Sequence, residues 1–208
     1  RAELATFLKQ ALDGRRPEPY YALLLADGDR MGQAIDHVSS ARGHRKLSQT
    51  LAGFAGEARD TVQAHGGSLV YAGGDDVLAF VPLHRVLSCA SVLARQFAER
   101  MDAYPTAAGL KPTLSVGIAV AHHIDPLSDA LALARRAERA AKVTRNALAV
   151  TVSKRSGVDR TVSGPWGTLD GRLALFIDLH RADAVPDGAA YDLQAMSRQL
   201  TPHDDAVL

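Results

Sequence analysis

The chain has 208 residues, of which 47% are hydrophobic, so it can bury one full core and is neither disordered nor fibrous. Its 24 basic and 23 acidic residues give a formal net charge of +1, which argues against a general electrostatic clamp for long nucleic acid. No apolar run reaches the roughly 18 to 20 residues needed to cross a bilayer, and no signal-peptide pattern is present. The single cysteine, Cys89, predicts a buried thiol in a reducing compartment. We therefore expect a soluble cytoplasmic protein without a membrane partner.

The N-terminal part of the chain leads into a buried strand. Residues 1–16 are predicted to form a helical lead-in, and because the sequence has no initiator Met we expect it to be a piece of a longer protein. After a turn-rich stretch, the apolar run from Tyr20 to Ala26 predicts a strand buried on both faces. This strand ends on Asp27-Gly28-Asp29, which places two acids at its carboxyl end.

A helix and a hairpin are predicted next. Apolar residues at three- and four-residue spacings predict a helix from His44 to His65. Ser68–Ala72 and Val77–Val81 are predicted strands, joined by the tight turn Gly73-Gly74-Asp75-Asp76. The hairpin therefore carries two acids at its tip.

The remaining elements define the fold class. The predicted elements are a helix from Leu87 to Met101, a strand over Thr113–Ala121, a helix from Asp125 to about Thr144 and a strand over Ala147–Ser153. Asp125 is the expected N-cap of the last helix, with Pro126 in its first turn. The order is βαββαβ plus an extra helix and strand, which indicates an α+β fold of the ferredoxin-like type.

Residues 17–157 are predicted to form the main domain, and residues 158–208 a C-terminal extension that leads to a missing helical domain. Within the extension, Arg172–Leu179 is predicted to be a strand and Ala190–Leu200 a helix. The motif His203-Asp204-Asp205 resembles the core of an HD phosphohydrolase but lacks the additional helical His and Asp. We therefore predict no DNase activity for this sequence.

The acids are expected to meet in space. In the ferredoxin-like topology the first strand lies beside the hairpin, which brings Asp27 to Asp75 and Asp76. Crowded carboxylates repel one another unless a divalent cation binds their oxygens, so we predict two Mg²⁺ or Mn²⁺ ions, with backbone Gly28 as a further ligand. Asp29 is either another ligand or a cap of the next segment.

The glycines beside the acids fit the same interpretation. Gly28, Gly73 and Gly74 are predicted to let the backbone approach a triphosphate or a base without interference from Cβ atoms. The alternative for Gly-Gly-Asp-Asp is an ordinary hairpin turn, because Gly and Asp are common turn residues. The second acid-bearing strand end favours the functional interpretation.

Two segments carry a resemblance to a known family: Tyr20–Gly32 (YYALLLADGDRMG) and Leu69–Ala79 (LVYAGGDDVLA). They closely resemble the GGDD palm domain of the large polymerase–cyclase subunit of type III CRISPR effector complexes, in its Cmr (III-B) form. GGDEF diguanylate cyclases share the palm layout, but they carry Glu-Phe where this chain has Asp76-Val77. Further matches are His44–Ser48, Leu114–Ala119 and Val152–Gly157, and the resemblance extends from about Pro17 to Gly157.

The resemblance implies a polymerase-palm or nucleotidyl cyclase fold and an activity in antiviral defence. The 3′-hydroxyl of one ATP would attack the α-phosphate of another, and repetition and closure would yield cyclic oligoadenylate. Implied partners are a second palm domain or a homodimer partner, other effector subunits, and guide or target RNA. Two further classes stay open: another palm enzyme, such as a diguanylate cyclase or a polymerase, and a noncatalytic assembly module.

Candidate nucleotide contacts follow from basic and polar residues. Lys142 matches the lysine that ends the corresponding helix in palm cyclases and is predicted to hold the triphosphate tail. A solvated lysine near a helix C-terminus is the alternative. Arg145, Lys154 and Ser48 are the further candidates for contacts with phosphate or ribose.

Overall fold

The structure is a computed structural model that describes residue 6 and residues 18–155, 157–186 and 188–199. The predicted lead-in helix, apart from Thr6, and the motif His203-Asp204-Asp205 lie outside these residues. The chain divides into two compact units, Arg1–Leu169 and Asp170–Leu208. Among the residues described, none of the helices combines the length and the apolar character that a bilayer crossing requires.

The first unit is built on a six-stranded sheet with the strand order β2-β3-β1-β4-β5-β6. The strands are β1 (Tyr20–Asp29), β2 (Ser68–Gly73), β3 (Asp76–Val81), β4 (Thr113–His122), β5 (Ala147–Val152) and β6 (Arg160–Pro165). The first four pair antiparallel in the ferredoxin-like order, β5 pairs parallel with β4, and β6 pairs antiparallel with β5. The predicted α+β palm fold is confirmed, and β6 extends its sheet by one strand.

Six helices are described. They are α1 (Met31–His37), α2 (Ala41–Ala64), α3 (Val86–Met101), α4 (Leu127–Thr144), α5 (Leu169–Arg181) and α6 (Ala189–Gln199). The short helix α1 was not predicted, because its seven residues include only two buried ones, Met31 and Ala34. The N-cap of the longer α2 is Ser40, whose hydroxyl accepts a hydrogen bond from the Gly43 N–H at 3.1 Å and satisfies one of the free donors of the first turn.

The helices cover both faces of the sheet. On one face, Leu23 of β1 and Ala119 of β4 pack with Ala134 of α4 in one buried cluster. Strand residues alternate between faces, so Ala22, Leu24 and Ala26 lie on the other face, where α2 and α3 contact the sheet. Each fully buried leucine or phenylalanine contributes about 1.5 to 3 kcal/mol of transfer free energy, so this two-sided burial stabilises the strand that carries Asp27.

The predicted strand at Arg172–Leu179 is wrong, because these residues belong to helix α5. A short apolar run does not distinguish a strand from a helix by its periodicity alone. The flanking residues favour the helix: Asp170 lies in its first turn, and His180 and Arg181 lie in its last turn, where they match the helix dipole. The predicted final helix is confirmed as α6.

The predicted N-cap at Asp125 is also wrong. The N-cap of α4 is Pro126, with an extended ψ of 137°. The carboxylate of Asp125 instead accepts a hydrogen bond from the backbone N–H of His122 at 3.2 Å. Asp125 therefore closes the turn that joins β4 to α4.

Candidate nucleotide and metal site

The carboxyl end of β1 lies next to the tip of the β2–β3 hairpin. Strands β1 and β3 pair antiparallel, and the last pair is Ala26 opposite Val77. Asp27 directly follows this pair in β1 and Asp76 directly precedes it in β3, so the two acids are neighbours on adjoining strands. Because strand residues alternate, both lie on the sheet face that α4 covers.

The second hairpin acid approaches β1 from the other side. A Cβ added to Gly28 would lie 2.7 Å from each of three atoms: Cβ and Oδ2 of Asp75 and Cγ of Met31. The missing side chain of Gly28 thus makes room for the Asp75 carboxylate rather than for a nucleotide. Asp75 and Asp76 therefore flank β1 from two directions.

Both hairpin carboxyls hold their protons more tightly than in water. Burial raises the pKa of Asp75; a hydrogen bond from its own backbone lowers it, and the charge of Asp76 raises it further. Burial alone raises the pKa of Asp76. Such shifts mark carboxylates that lack a compensating positive charge, which a bound cation would supply.

Lys142 reaches the end of β1 and the tip of the hairpin, together called the corner below, from the last turn of α4. Its ammonium donates a hydrogen bond to the carbonyl oxygen of Gly28 at 2.8 Å and contacts the carboxylate of Asp27. The same nitrogen lies 3.6 Å from Oδ1 of Asp29. Lys142 is therefore not the solvated lysine of the alternative interpretation.

The charge of Lys142 is sensitive to its surroundings. Burial, and then the charge of Arg145, lower the pKa of Lys142 to about 8. The contact with Asp27 works in the opposite direction, because a neighbouring carboxylate favours the ammonium form. A pKa near 8 leaves most of these side chains protonated at neutral pH.

Asp29 is a structural residue. It is neither the metal ligand nor the cap of the next segment that the sequence predicted. Its carboxylate is buried and accepts hydrogen bonds from the hydroxyls of Thr113 and Ser115 at 2.8 and 2.9 Å and from the backbone N–H of Asn146 at 2.9 Å. These donors satisfy both oxygens. Asp29 thus joins β1 to β4 and to the turn before β5.

Replacing Asp29 by Ala should destabilise the fold by about 2 to 4 kcal/mol, because it leaves the buried hydroxyl of Ser115 and the backbone N–H of Asn146 without their acceptor. Thermal unfolding followed by circular dichroism measures the change. Asp60→Ala, on the exposed face of α2, is the control and should stay within about 0.5 kcal/mol of wild type. Equal stability of the two variants would contradict the structural role.

The turn between α4 and β5 supports the same corner. Arg145 and Asn146 both adopt positive φ, at 60° and 46°, which costs a non-glycine residue on the order of 1 kcal/mol. The turn directs the Asn146 N–H to Asp29, while the carbonyl oxygen of Asn146 accepts from the Trp166 N–H at 3.1 Å. The indole of Trp166 donates to the Leu114 carbonyl at 2.9 Å. These bonds hold Lys142 and Asp29 in fixed relation.

Glu138 is a residue of this corner that the sequence interpretation missed. Burial raises the pKa of its carboxyl, the charge of Arg139 lowers it, and the charges of Asp29 and Asp76 raise it further. Glu138, in α4, is therefore near enough to Asp29 and Asp76 for their charges to act on it. Its position four residues before Lys142, on the same helix face, is the sequence signal that could have found it.

Gly73 makes room for an aromatic ring. A Cβ added to Gly73 would lie 1.9 Å from the hydroxyl oxygen of Tyr71, whose half-exposed ring lies over the hairpin. Gly74 differs, because it adopts a positive φ of 71° with open space around its missing Cβ among the described residues. Both glycines therefore have a role in the hairpin: Gly73 leaves room for the Tyr71 ring, and Gly74 adopts the positive φ of the turn.

This difference predicts opposite outcomes for two matched substitutions. Gly73→Ala should change the free energy of unfolding by less than about 0.5 kcal/mol, because the exposed Tyr71 ring can rotate away. Gly74→Ala should cost about 1 to 2 kcal/mol, because alanine disfavours positive φ. Chemical denaturation of both variants measures the two values, and the reverse order would contradict the geometry.

The other predicted nucleotide contacts are placed differently. Ser48 is exposed on the N-terminal half of α2, and Arg145 is exposed beside Lys142. Lys154 lies at the opposite end of the sheet, because the preceding Ser153 donates from its N–H to the Val120 carbonyl at 3.0 Å. With about 3.3 Å per strand residue, that end is more than about 15 Å from Asp27, so Lys154 is not brought to the site.

The residues at this corner fit a divalent metal by their chemistry. Asp27, Asp75 and Asp76 offer carboxylate oxygens and Gly28 a carbonyl oxygen, which are the hard ligands that Mg²⁺ and Mn²⁺ prefer. Two of these oxygens already bind a cation, the ammonium of Lys142. Within the described part of the chain, however, no group of three His, Cys, Asp or Glu side chains is arranged to hold a metal.

A ferredoxin-like sheet with acids at the end of β1 and at the tip of the β2–β3 hairpin defines the polymerase-palm and nucleotidyl cyclase class. Residues 20–149 match the family model of the Cas10/Cmr2 second palm domain, which is more than half of the chain. The chain belongs to this family, as the sequence motifs predicted.

Individual relatives agree with this assignment. The CRISPR system Cmr subunit Cmr2 of Pyrococcus furiosus is 34% identical over 184 residues, and the match covers 74% of this chain and 21% of that protein. A cryo-EM structure of the apo type III-B Cmr-beta complex matches with a TM-score of 0.64 at 14% identity, over 99% of this chain and 34% of the matched chain. The Csm1–Csm4 cassette in complex with cA4 matches with a TM-score of 0.51 at 19% identity, over 65% and 21%. The chain thus spans about a fifth of its curated relative.

Proposed function

We propose that the chain is the catalytic palm of a metal-dependent nucleotidyltransferase that converts ATP to cyclic oligoadenylate in CRISPR antiviral defence. The observation that carries this proposal is the meeting of Asp27 and Asp76 on adjoining strands, with the ammonium of Lys142 at the same corner. A purely structural hairpin turn needs no such arrangement. We assign the palm to residues 17–157, and residues 158–208 to an extension whose β6 lengthens the sheet.

The proposed reaction joins nucleotides with release of pyrophosphate. The 3′-oxygen of one ATP forms a bond to the α-phosphorus of another, the bond from that phosphorus to the pyrophosphate oxygen breaks, and the hydroxyl proton is lost. Closure of the chain by the same step releases the last pyrophosphate. Two Mg²⁺ or Mn²⁺ ions, when bound, would supply positive charge to the phosphate oxygens and activate the attacking hydroxyl.

The residues of the corner would have two roles, metal binding and contact with the nucleotide. Asp27, Asp75 and Asp76, with the carbonyl oxygen of Gly28, would hold the ions. Lys142 would neutralise charge on the triphosphate as a point charge. Its neighbour Arg145 and the exposed Ser48 are proposed to contact phosphate or ribose.

The site is open to solvent on one side, which fits a nucleotide shared between two palms. The side chains of Asp27 and Lys142 keep 38% and 26% of their surface exposed. A second palm domain or a second copy of the chain would supply the missing half of the site. Other CRISPR effector subunits are proposed partners of the longer protein, which the likeness to the Cmr-beta complex and the Csm1–Csm4 cassette supports. Guide or target RNA is a further proposed partner, and the cytoplasm is the proposed location.

Product analysis tests the proposal. The chain is incubated at high concentration with ATP or GTP and Mg²⁺ or Mn²⁺, and the products are separated by chromatography and identified by mass spectrometry. Cyclic oligoadenylate that depends on the metal and on Asp76 is the expected result. A cyclic dinucleotide from GTP would favour the diguanylate cyclase alternative.

A third outcome favours the assembly module. Metal-dependent binding of ATP without any product, even when the concentration of the chain is raised so that copies can pair, would indicate a nucleotide-binding role without catalysis. Because pairing is required in the proposal, we expect the rate per chain to rise with concentration.

A further inference from the structure

One half-buried lysine, Lys142, makes contacts that the proposed chemistry does not explain. The ammonium of Lys142 binds the carbonyl oxygen of Gly28 and the carboxylate of Asp27, and these are two of the four proposed metal ligands. A lysine whose only task is to hold a triphosphate tail would point into the space that the triphosphate occupies. In this structure Lys142 instead lies on the metal ligands themselves.

The third oxygen near Lys142 does not account for its position. The carboxylate of Asp29 lies 3.6 Å from the ammonium, and its oxygens already accept from Thr113, Ser115 and Asn146. Asp27 is therefore the main anionic partner of Lys142. The Asp27 carboxylate is thus turned towards α4 rather than towards a closed ring of carboxylates, which agrees with the lack of a preformed three-carboxylate cluster among the described residues.

We propose that Lys142 is a resident cation of the metal site, which a divalent ion must displace from Asp27 and from the carbonyl oxygen of Gly28. The displaced ammonium then becomes available to the triphosphate, so metal binding and nucleotide capture are coupled through one side chain. This inference rests on the proposed function, since it takes the four oxygens as metal ligands.

Electrostatics gives the coupling its direction. An ammonium and a divalent ion repel each other strongly at hydrogen-bond distance in a half-buried site, so they do not share the same two oxygens. After burial, the charge of Arg145 is the second cause that lowers the pKa of Lys142, so Arg145 also disfavours the ammonium form. Glu138 lies one turn earlier than Lys142 on the same face of α4.

The coupling predicts opposite effects of one substitution on two ligands. Lys142→Met keeps the length and packing of the side chain but removes the competing charge. In the absence of nucleotide, Lys142→Met should bind Mn²⁺ about tenfold more tightly than wild type, measured from the free Mn²⁺ signal in electron paramagnetic resonance. At saturating Mn²⁺, the same variant should bind ATP about tenfold more weakly, measured by calorimetry.

Controls separate this inference from the function on which it rests. Lys154→Met removes a lysine at the opposite end of the sheet and should leave both affinities unchanged. A second readout is thermal: saturating Mn²⁺ should raise the Tm of Lys142→Met more than that of wild type, because wild type loses its lysine contacts when the metal binds.

The outcomes are distinct. Equal or weaker Mn²⁺ binding by Lys142→Met, with wild-type binding intact, would overturn the inference and leave the proposed function standing. Absence of Mn²⁺ binding by both chains would overturn the proposed metal site and the inference together.

Discussion

Replacing Asp75 and Asp76 together by Asn should lower metal-dependent product formation by about a hundredfold to a thousandfold. The two carboxylates flank the end of β1 from two directions, so their loss removes charge on both sides of Asp27. Asn keeps the shape and one acceptor oxygen but carries no charge for a divalent ion. Chromatographic product analysis with Mg²⁺ or Mn²⁺ at high chain concentration measures the loss.

The same substitution should raise stability, which separates loss of the site from loss of the fold. Burial raises the pKa of both Asp75 and Asp76, so the folded chain holds these protons to higher pH than the unfolded chain does. Wild type therefore loses stability as the pH rises and the carboxyls ionise, whereas the Asn variant does not. We expect the variant to melt about 2 to 4 °C higher at pH 7, and the difference to vanish below about pH 4.

Asp60→Asn, an exposed change of the same chemistry on α2, serves as the control for both measurements. It should retain wild-type activity and the wild-type Tm. Retained product formation by the Asp75→Asn/Asp76→Asn variant would show that the site lies elsewhere on the chain.

Gly117→Ala should be the most destabilising of the substitutions considered for the sheet. Gly117 lies in the middle of β4, and an added Cβ would lie 2.1 Å from the backbone nitrogen and 2.6 Å from the Cα of Glu138. Backbone atoms of a helix cannot rotate away as a side chain can, so α4 must move off the sheet. We expect a loss of about 3 kcal/mol or more and a Tm lowered by about 6 to 12 °C.

The displacement of α4 in Gly117→Ala should also change the nucleotide and metal site. Lys142 lies one turn beyond Glu138 on the same helix, so a shift of α4 moves its ammonium away from the site and from the triphosphate that it is proposed to hold. Weakened ATP binding in the presence of Mn²⁺ should therefore accompany the lower Tm. Calorimetric binding at a temperature well below the transition separates this effect from unfolding.

Gly56→Ala is the matched control, because it should change the free energy of unfolding in the opposite direction. Gly56 lies in α2 with open space around its missing Cβ among the described residues, so alanine there should stabilise the chain by about 0.5 to 1 kcal/mol. A Tm of Gly117→Ala within about 2 °C of wild type would show that α4 does not pack on β4 as closely as described.

Much of the palm was predictable because its elements carry strong local signals. The apolar run that forms β1, the hairpin turn at Gly73-Gly74 and the periodic helices α2 to α4 each agree with the structure to within a few residues. The convergence of Asp27 with the hairpin followed from topology, since βαββαβ order places the first strand beside the third.

The errors occurred where local patterns have two solutions. The short apolar run Arg172–Leu179 is compatible with a strand or with a helix, and in the structure it belongs to α5. Lys154 follows a strand and is basic, as a phosphate ligand would be, but the parallel pairing of β5 with β4 carries it to the wrong end of the sheet. Strand direction is a long-range property that a single segment does not contain.

The sequence by itself determined the fold class, the family and the set of acids, because hydrophobic periodicity and turn residues act over a few positions and leave a readable pattern. Only the tertiary structure decided which oxygens face which partner. The oxygens of Asp29 accept hydrogen bonds within the fold, and the ammonium of Lys142 contacts Asp27. Asp75 and Asp76 flank β1 from different sides. These relations join residues far apart in the chain, and their geometry depends on strand register and on how closely α4 approaches the sheet at Gly117.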